Sequence, residues 1–257
     1  MKYMFFIAGL LIFSGEALSK EMIFYKYADG DGYSLMVATA DEAAVSISVR
    51  DVIARKMLGT SFILENVSTE YYSVTTTPNI AFFGENLTQY KLTPTTDDRF
   101  SHIVWVDDKK SLIKTEIYDL SGKLMFALSN VDFLGNKKKS KQIADGKKNK
   151  NEAFFKGFSH MHTKTLPGDV IHATFSDGLN RFSVFINPSP ESSGTAYKIV
   201  YGNYLMTKVV NGIEYTLLGS VSYSIMEEFV DFLCSSAHNT NELFKIETFP
   251  SQVHFSE

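Results

Sequence analysis

Apolar and polar residues alternate in short runs along most of this chain, a period of two that marks strands. The clearest run is Phe175-Ser176-Asp177-Gly178-Leu179-Asn180-Arg181-Phe182-Ser183-Val184-Phe185-Ile186-Asn187. Asp177-Gly178 tolerates positive φ, so the chain is expected to reverse there. Phe182, Val184 and Ile186 should then face one side of a strand, and Ser183, Phe185 and Asn187 the other. Met22 to Tyr27 and Tyr33 to Thr39 read as a hairpin around Asp29-Gly30-Asp31-Gly32. Asp41 to Leu58 is mixed, part strand-like and part helical. Phe62 to Val67, Tyr71 to Thr75 and Ile80 to Phe83 are short β-type runs, separated by Thr-rich loops with Pro78 and Asn79. Gln89 to Thr93, His102 to Val106, Leu112 to Tyr118 and the run bearing Leu124, Phe126 and Leu128 form a meander. Its turns lie at Asp107 to Lys110 and at Ser121-Gly122, so neighbours should pair antiparallel.

The pattern fails from Asn136 to Asn151, a Lys-rich run too poor in apolar residues to offset its ordering entropy. It reads as a linker, and such a basic run also suits contact with an acidic partner. Beyond it come Phe154 to Phe158, then strands over Val170 to Phe175, Phe182 to Ile186, Thr195 to Tyr201, Tyr204 to Val210 and Ile213 to Leu218. Asn211-Gly212 is a type I′ hairpin signal. The period then changes: Met226, Phe229, Val230 and Leu233 fall at i, i+3, i+4 and i+7, an amphipathic helix laying one face on the sheet. Ser224 with Glu227 has the spacing of a capping box.

Composition supports sheet over bundle, with 21 Phe and 13 Tyr among 257 residues. The net charge of −4 disfavours a general nucleic-acid binder. Lys2, the apolar run from Met4 to Phe13 and Ala17-Leu18-Ser19 together read as a signal peptide cleaved near Ser19. The single cysteine, Cys234, has no internal partner for a disulfide and is expected as a buried, inert thiol on the helix.

Candidate chemistry is sparse. His160-Met161-His162 places two imidazoles on one face of a regular strand, with His172 nearby in sequence, but no cysteine or carboxylate completes a metal set. A solvated loop or strand edge is the plainer expectation. Asp29 and Asp31 read as turn residues, since the rest of a calcium loop is missing. No nucleophile elbow, phosphate loop or dinucleotide fingerprint is present. No catalytic, cofactor or metal site is therefore expected, and binding is the expected role.

Two blocks resemble the RseB/MucB family of periplasmic negative regulators of an envelope-stress sigma factor. The first runs from Arg99-Phe100 through His102-Ile103-Val104-Trp105-Val106-Asp107 to Tyr118-Asp119-Leu120-Ser121-Gly122-Lys123-Leu124. The second is Lys156-Gly157-Phe158 with Phe175-Ser176-Asp177-Gly178-Leu179 and Phe182-Ser183-Val184. The resemblance covers most of residues 90–235. The signature positions are Trp105, Asp107, Gly157, Phe158, Ser176, Asp177, Gly178, Leu179, Phe182 and Val184, expected to act mainly in the structure.

The resemblance implies an α+β protein of two domains. The first is a curved antiparallel sheet like a shortened LolA/LolB half-barrel; the second is a smaller antiparallel sheet with a packed helix. The expected boundaries are a signal peptide at 1–19, the first domain at 20–135, the Lys-rich linker at 136–152, the second domain at 153–236 and a polar tail at 237–257. It further implies a periplasmic, non-enzymatic protein without a cofactor. Its partner would be the periplasmic region of an inner-membrane anti-sigma factor, which it shields from proteolysis until lipopolysaccharide or lipoprotein acyl chains bind. A lipid or lipoprotein carrier without a regulatory role is the alternative. Self-association is left open.

Overall fold

The computed structural model describes residues 22–39, 64, 67–131, 154–189 and 193–235. The signal peptide, the run from Asp41 to Leu58, the Lys-rich linker and the polar tail all lie outside the described residues.

Two antiparallel sheets carry the fold. The first has seven strands: β1 (Met22–Asp29), β2 (Gly32–Thr39), β3 (Tyr72–Phe82), β4 (Glu85–Pro94), β5 (Ser101–Val106), β6 (Leu112–Tyr118) and β7 (Leu124–Val131), in the order β2-β1-β7-β6-β5-β4-β3. From β3 to β7 it is a meander. The β1–β2 hairpin then adds to the far side, with Tyr25 opposite Leu128 and Tyr27 opposite Phe126. The second sheet comprises β8 (Ser159–Leu166), β9 (Val170–Ser176), β10 (Arg181–Pro188), β11 (Ser193–Val200), β12 (Asn203–Val210) and β13 (Ile213–Gly219), in the order β11-β12-β13-β10-β9-β8. Helix α1 (Tyr223–Ser235) covers one face of this second sheet.

The alternation seen in the sequence holds in β10. Phe182, Val184 and Ile186 are buried under α1 with Ile171, Ala173 and Phe175 of β9 and Leu217 of β13. Phe229 of α1 meets the rings of Phe175 and Phe182 at centroid separations of 4.8 and 5.0 Å. Such aromatic contacts add directional attraction to the burial of apolar area. Asn211 (φ 52°) and Gly212 (φ 74°) make the expected left-handed turn pair between β12 and β13.

Four expectations need correction. Tyr71 to Thr75 and Ile80 to Phe83 are not two strands: all but Tyr71 and Phe83 belong to β3, which is continuous across a register shift between Thr77 and Ile80. Pro78 and Asn79 (φ 58°) sit in that bulge, on an edge strand, where a missing N–H costs no ladder bond. Neither Leu64 nor Val67 is in a strand; Val67 is buried in a bend beside Tyr72 and Leu92. The helix is capped by Ser222, whose Oγ accepts the Ile225 N–H at 3.1 Å, so Ser224 lies inside the first turn. Glu227 accordingly makes no capping box but accepts the Tyr197 hydroxyl from β11. Finally, Cys234 is half-buried, 3.8 Å from the Tyr215 hydroxyl, rather than fully enclosed.

Candidate functional site

Six of the ten signature residues converge where the two sheets meet. After β4 the chain runs past Arg99, which forms an isolated antiparallel bridge with Val221 just ahead of α1. Phe100 N–H donates to the Ser220 carbonyl at 3.3 Å and Ser222 N–H to the Asp98 carbonyl at 2.9 Å. Backbone of the first sheet's connecting loop is thus paired with backbone of the second sheet's last loop.

Arg99 is 1% exposed and sits at the centre. Its Nε and Nη2 donate to the two oxygens of Asp98 at 2.8 and 3.1 Å, a bidentate pair. Nη1 donates to Asp177 Oδ2 at 2.9 Å and Nη2 to the Lys156 carbonyl at 3.0 Å. The guanidinium also lies over the rings of Tyr71 (4.6 Å) and Phe158 (4.7 Å), a cation–π sandwich. Burial alone would pull its pKa down, but the hydrogen bond to Asp98 and the charge of Asp177 hold it above its ordinary value. Burial likewise pushes Asp98 up, and its bonds to Arg99 and Thr96 bring it below the usual carboxylate range.

Asp177 owes its position to the turn that the sequence announced. Its Oδ1 accepts the N–H groups of Leu179 (2.9 Å) and Asn180 (2.7 Å), folding the loop around its own side chain. Gly178 takes φ 96° to allow this, and Ser176 Oγ accepts its N–H. Asp177 Oδ2 is left to face the first sheet, where it accepts from Arg99 and from the Tyr72 hydroxyl of β3 at 2.5 Å. Four donors fill a carboxylate with about four acceptor positions, which suits it to holding rather than to proton transfer. Burial, reinforced by Asp177, pushes the Tyr72 phenol well above its ordinary value, so it stays neutral and donates.

Asn180 extends the cluster. Its amide donates to the Tyr72 hydroxyl (2.8 Å) and to the Phe100 carbonyl (2.9 Å). Its Oδ1 lies 2.9 Å from His102 Nε2 in β5, so that nitrogen carries the proton. Burial lowers the His102 pKa and keeps the ring neutral.

The Lys156-Gly157-Phe158 segment has a matching physical reason. Lys156 (φ 44°) and Gly157 (φ 82°) turn the Lys156 carbonyl to Arg99. A Cβ on Gly157 would lie 2.4 Å from the Tyr71 ring, so glycine is what lets that ring approach. Leu179 packs against the cluster of Tyr72, Leu92, Val104 and Val106 in the first sheet. Gly157, Phe158, Ser176, Asp177, Gly178 and Leu179 are therefore assembled around Arg99, directly or through the Asp177 turn. Phe182 and Val184 lie instead in the core under α1. Trp105 lies apart on β5, its ring under the Lys114 ammonium at 4.2 Å. Asp107 accepts the N–H groups of Lys109 and Ser111 in its own turn.

A second contact between the sheets lies at the other end. Gly30 N–H donates to the Ile199 carbonyl at 3.1 Å and Gly202 N–H to the Ala28 carbonyl at 2.7 Å. Gly202 (φ 74°) has the Met125 carbonyl where a Cβ would stand, so two backbones touch there. Tyr204 OH donates to Asp119 Oδ2 at 2.9 Å, and its ring meets Phe100 edge-on at 4.9 Å.

The His160-Met161-His162 pair is split by the fold. A register shift makes Met161 the extra residue, so His160 pairs with Phe175 and His162 with Thr174. Adjacent positions across a ladder share a face, and Phe175 and Thr174 lie on opposite faces. His160 therefore packs on the Phe175 ring, while His162 stands with His172 and Thr174 on the other side. Among the described residues no group of three metal-ligating side chains comes together.

Sequence reasoning missed Tyr71, Tyr72, His102 and Asn180, and gave Arg99 no role. The Asp-Gly-Leu-Asn order signals a side-chain-capped turn, but nothing in sequence pairs Asp177 with an arginine 78 positions earlier.

The architecture defines a class: two antiparallel sheets that meet through the loops at their strand ends, the second backed by a C-terminal helix. That is the fold of MucB. The chain superposes on the MucA/MucB complex of Pseudomonas aeruginosa with a TM-score of 0.53 at 16% identity, covering 83% of this chain and 93% of that one. A second structure, MucB in complex with MucA(peri), matches with a TM-score of 0.50 at 15% identity over 82% and 91%. No protein-family model matches the chain, and no curated protein does.

Proposed function

We propose that the chain is a periplasmic regulator that binds the periplasmic region of an inner-membrane anti-sigma factor and shields it from proteolysis. The observation that carries this reading is the meeting of both sequence blocks in one cluster, on a fold shared with MucB over 83% of this chain and 93% of that one. The solved MucB chains hold MucA, which supports a protein partner for the same fold. Release by lipopolysaccharide or by lipoprotein acyl chains belongs to the same proposal, as do export with cleavage near Ser19 and the division into domains at 20–135 and 153–236. So does the absence of catalysis: the carboxylate at the centre is saturated with donors, and its work is to hold the sheets together. No described helix is long and apolar enough to cross a membrane.

The test is direct. The protein lacking residues 1–19 is mixed with the purified periplasmic region of a cognate anti-sigma factor. Association at micromolar concentration, with slower cleavage of that region by the initiating protease, is the expected result. Failure to associate at that concentration removes the reading.

A further inference from the structure

Sheet edges are natural templates for a partner's strand, and most proteins guard them with bulges, prolines or charge. Two of the four edges here are guarded in that way: β3 by the Pro78–Asn79 bulge and β8 by the bulge at Met161. Among the described residues, the β11 edge is not. Its pairing with β12 is regular over all eight residues, and the first six of them are exposed. Tyr197 is 46% exposed.

Which backbone groups point outward can be read from one bond. Gly30 N–H donates to the Ile199 carbonyl, so that carbonyl faces away from β12 and toward the first sheet. Backbone groups alternate along an antiparallel strand, so the N–H and C=O of Thr195 and Tyr197 face the same open side. The β1–β2 turn therefore already starts a further ladder at one end of β11 and leaves the rest of the edge for another strand. Just there, Asp29 and Asp31 from the turn, with Tyr197, Lys198 and Tyr223, line an open groove. Two carboxylates against one ammonium favour a cationic side chain, and the aromatic walls suit its stem.

We infer that β11 is a strand-addition site, taking an extended segment of a partner protein whose N-terminal residue is lysine or arginine. The added strand runs antiparallel to β11, with main-chain bonds to Thr195 and Tyr197, and its basic residue enters the groove beside Asp29 and Asp31. Main-chain bonding supplies affinity in such sites and the pocket supplies selectivity. As a statement about an anti-sigma partner, this rests on the function proposed above; as a statement about the edge, it does not.

The probe is the synthetic peptide Ac-Lys-Thr-Val-Thr-Val-Thr-amide, titrated into the full chain and followed by backbone amide shifts. Saturable binding with shifts confined to Ser193–Val200 and the Asp29–Asp31 turn is expected. A peptide with Glu in place of Lys should bind at least tenfold more weakly, and one N-methylated at alternate amides should not bind. Thr195→Pro removes an outward N–H without touching the β11–β12 ladder and should abolish binding. The double variant Asp29→Asn, Asp31→Asn should erase the difference between the Lys and Glu peptides. No binding at millimolar peptide, equal binding of the N-methylated peptide, or shifts on β2 instead would overturn the inference. The same variants separate it from the broader reading. If the anti-sigma region binds wild type and both variants equally, the function stands and the β11 site falls. If the peptide binds as described and the anti-sigma region does not, the β11 site stands alone.

Discussion

Arg99 decides more than any other side chain, because it is an ion taken out of water and held by two carboxylates from different parts of the chain. Removing one member of a buried pair leaves an uncompensated charge, typically a loss of about 3–5 kcal/mol. Arg99→Met is expected to reach that range in urea unfolding, whereas Asp98→Asn, at a carboxylate 20% exposed, should cost only about 1–2 kcal/mol. Arg99→Lys should not rescue, since an ammonium cannot bond Asp98 in bidentate fashion while reaching Asp177. His102 gives the pH dependence. Burial holds its folded pKa below the ordinary 6.5. As pH falls through that value, the unfolded chain takes up a proton that the folded ring refuses, so stability decreases toward acid until the folded ring itself titrates. Stability should therefore drop from pH 7 to pH 5.5, and His102→Gln should flatten the slope. Some slope should survive, because burial pushes His160 in the same direction.

Among the elements, α1 gives the sharpest prediction, because two serines compete for one role. Ser222→Ala should cost about 1 kcal/mol through loss of the bond to Ile225 N–H, and Ser224→Ala a few tenths at most, both read from thermal melts. The buried face is less tolerant: Phe229→Ala should cost about 3–5 kcal/mol, since that ring fills the space against Phe175 and Phe182. Most strands were legible because their turns are spelled out, as at Asn211-Gly212 and Asp29-Gly30. What was not legible follows from chemistry that reads two ways. Pro78-Asn79 looks like a loop in any sequence, yet on an edge strand it only bulges the ladder. The serine–glutamate spacing at 224 and 227 is that of a capping box, but Glu227 is taken by Tyr197 from β11, and the cap falls to Ser222. The arginine cluster was legible only as a set of unexplained residues, because its members come from four segments and no local pattern joins them.

For the whole molecule, the two contacts between sheets imply one cooperative unit. Backbone bonds join them at Asp98–Phe100 with Ser220–Ser222 and at Ala28–Gly30 with Ile199–Gly202. Trp105 fluorescence, which reports on the first sheet, and hydrogen exchange of the α1 amides, which reports on the second, should therefore lose structure at one urea midpoint. Arg99→Met should separate them. Two resolved midpoints in the wild type would show that the sheets are merely neighbours.

The placement of β1 against β7 carries a kinetic consequence. Tyr25 must find Leu128, roughly a hundred residues further along, before the opening hairpin has anywhere to dock. High contact order of this kind slows folding into the millisecond-to-second range. Until the seventh strand exists, the first two are an orphaned ribbon, and this is the interval in which a chaperone would have most to gain by holding the nascent chain.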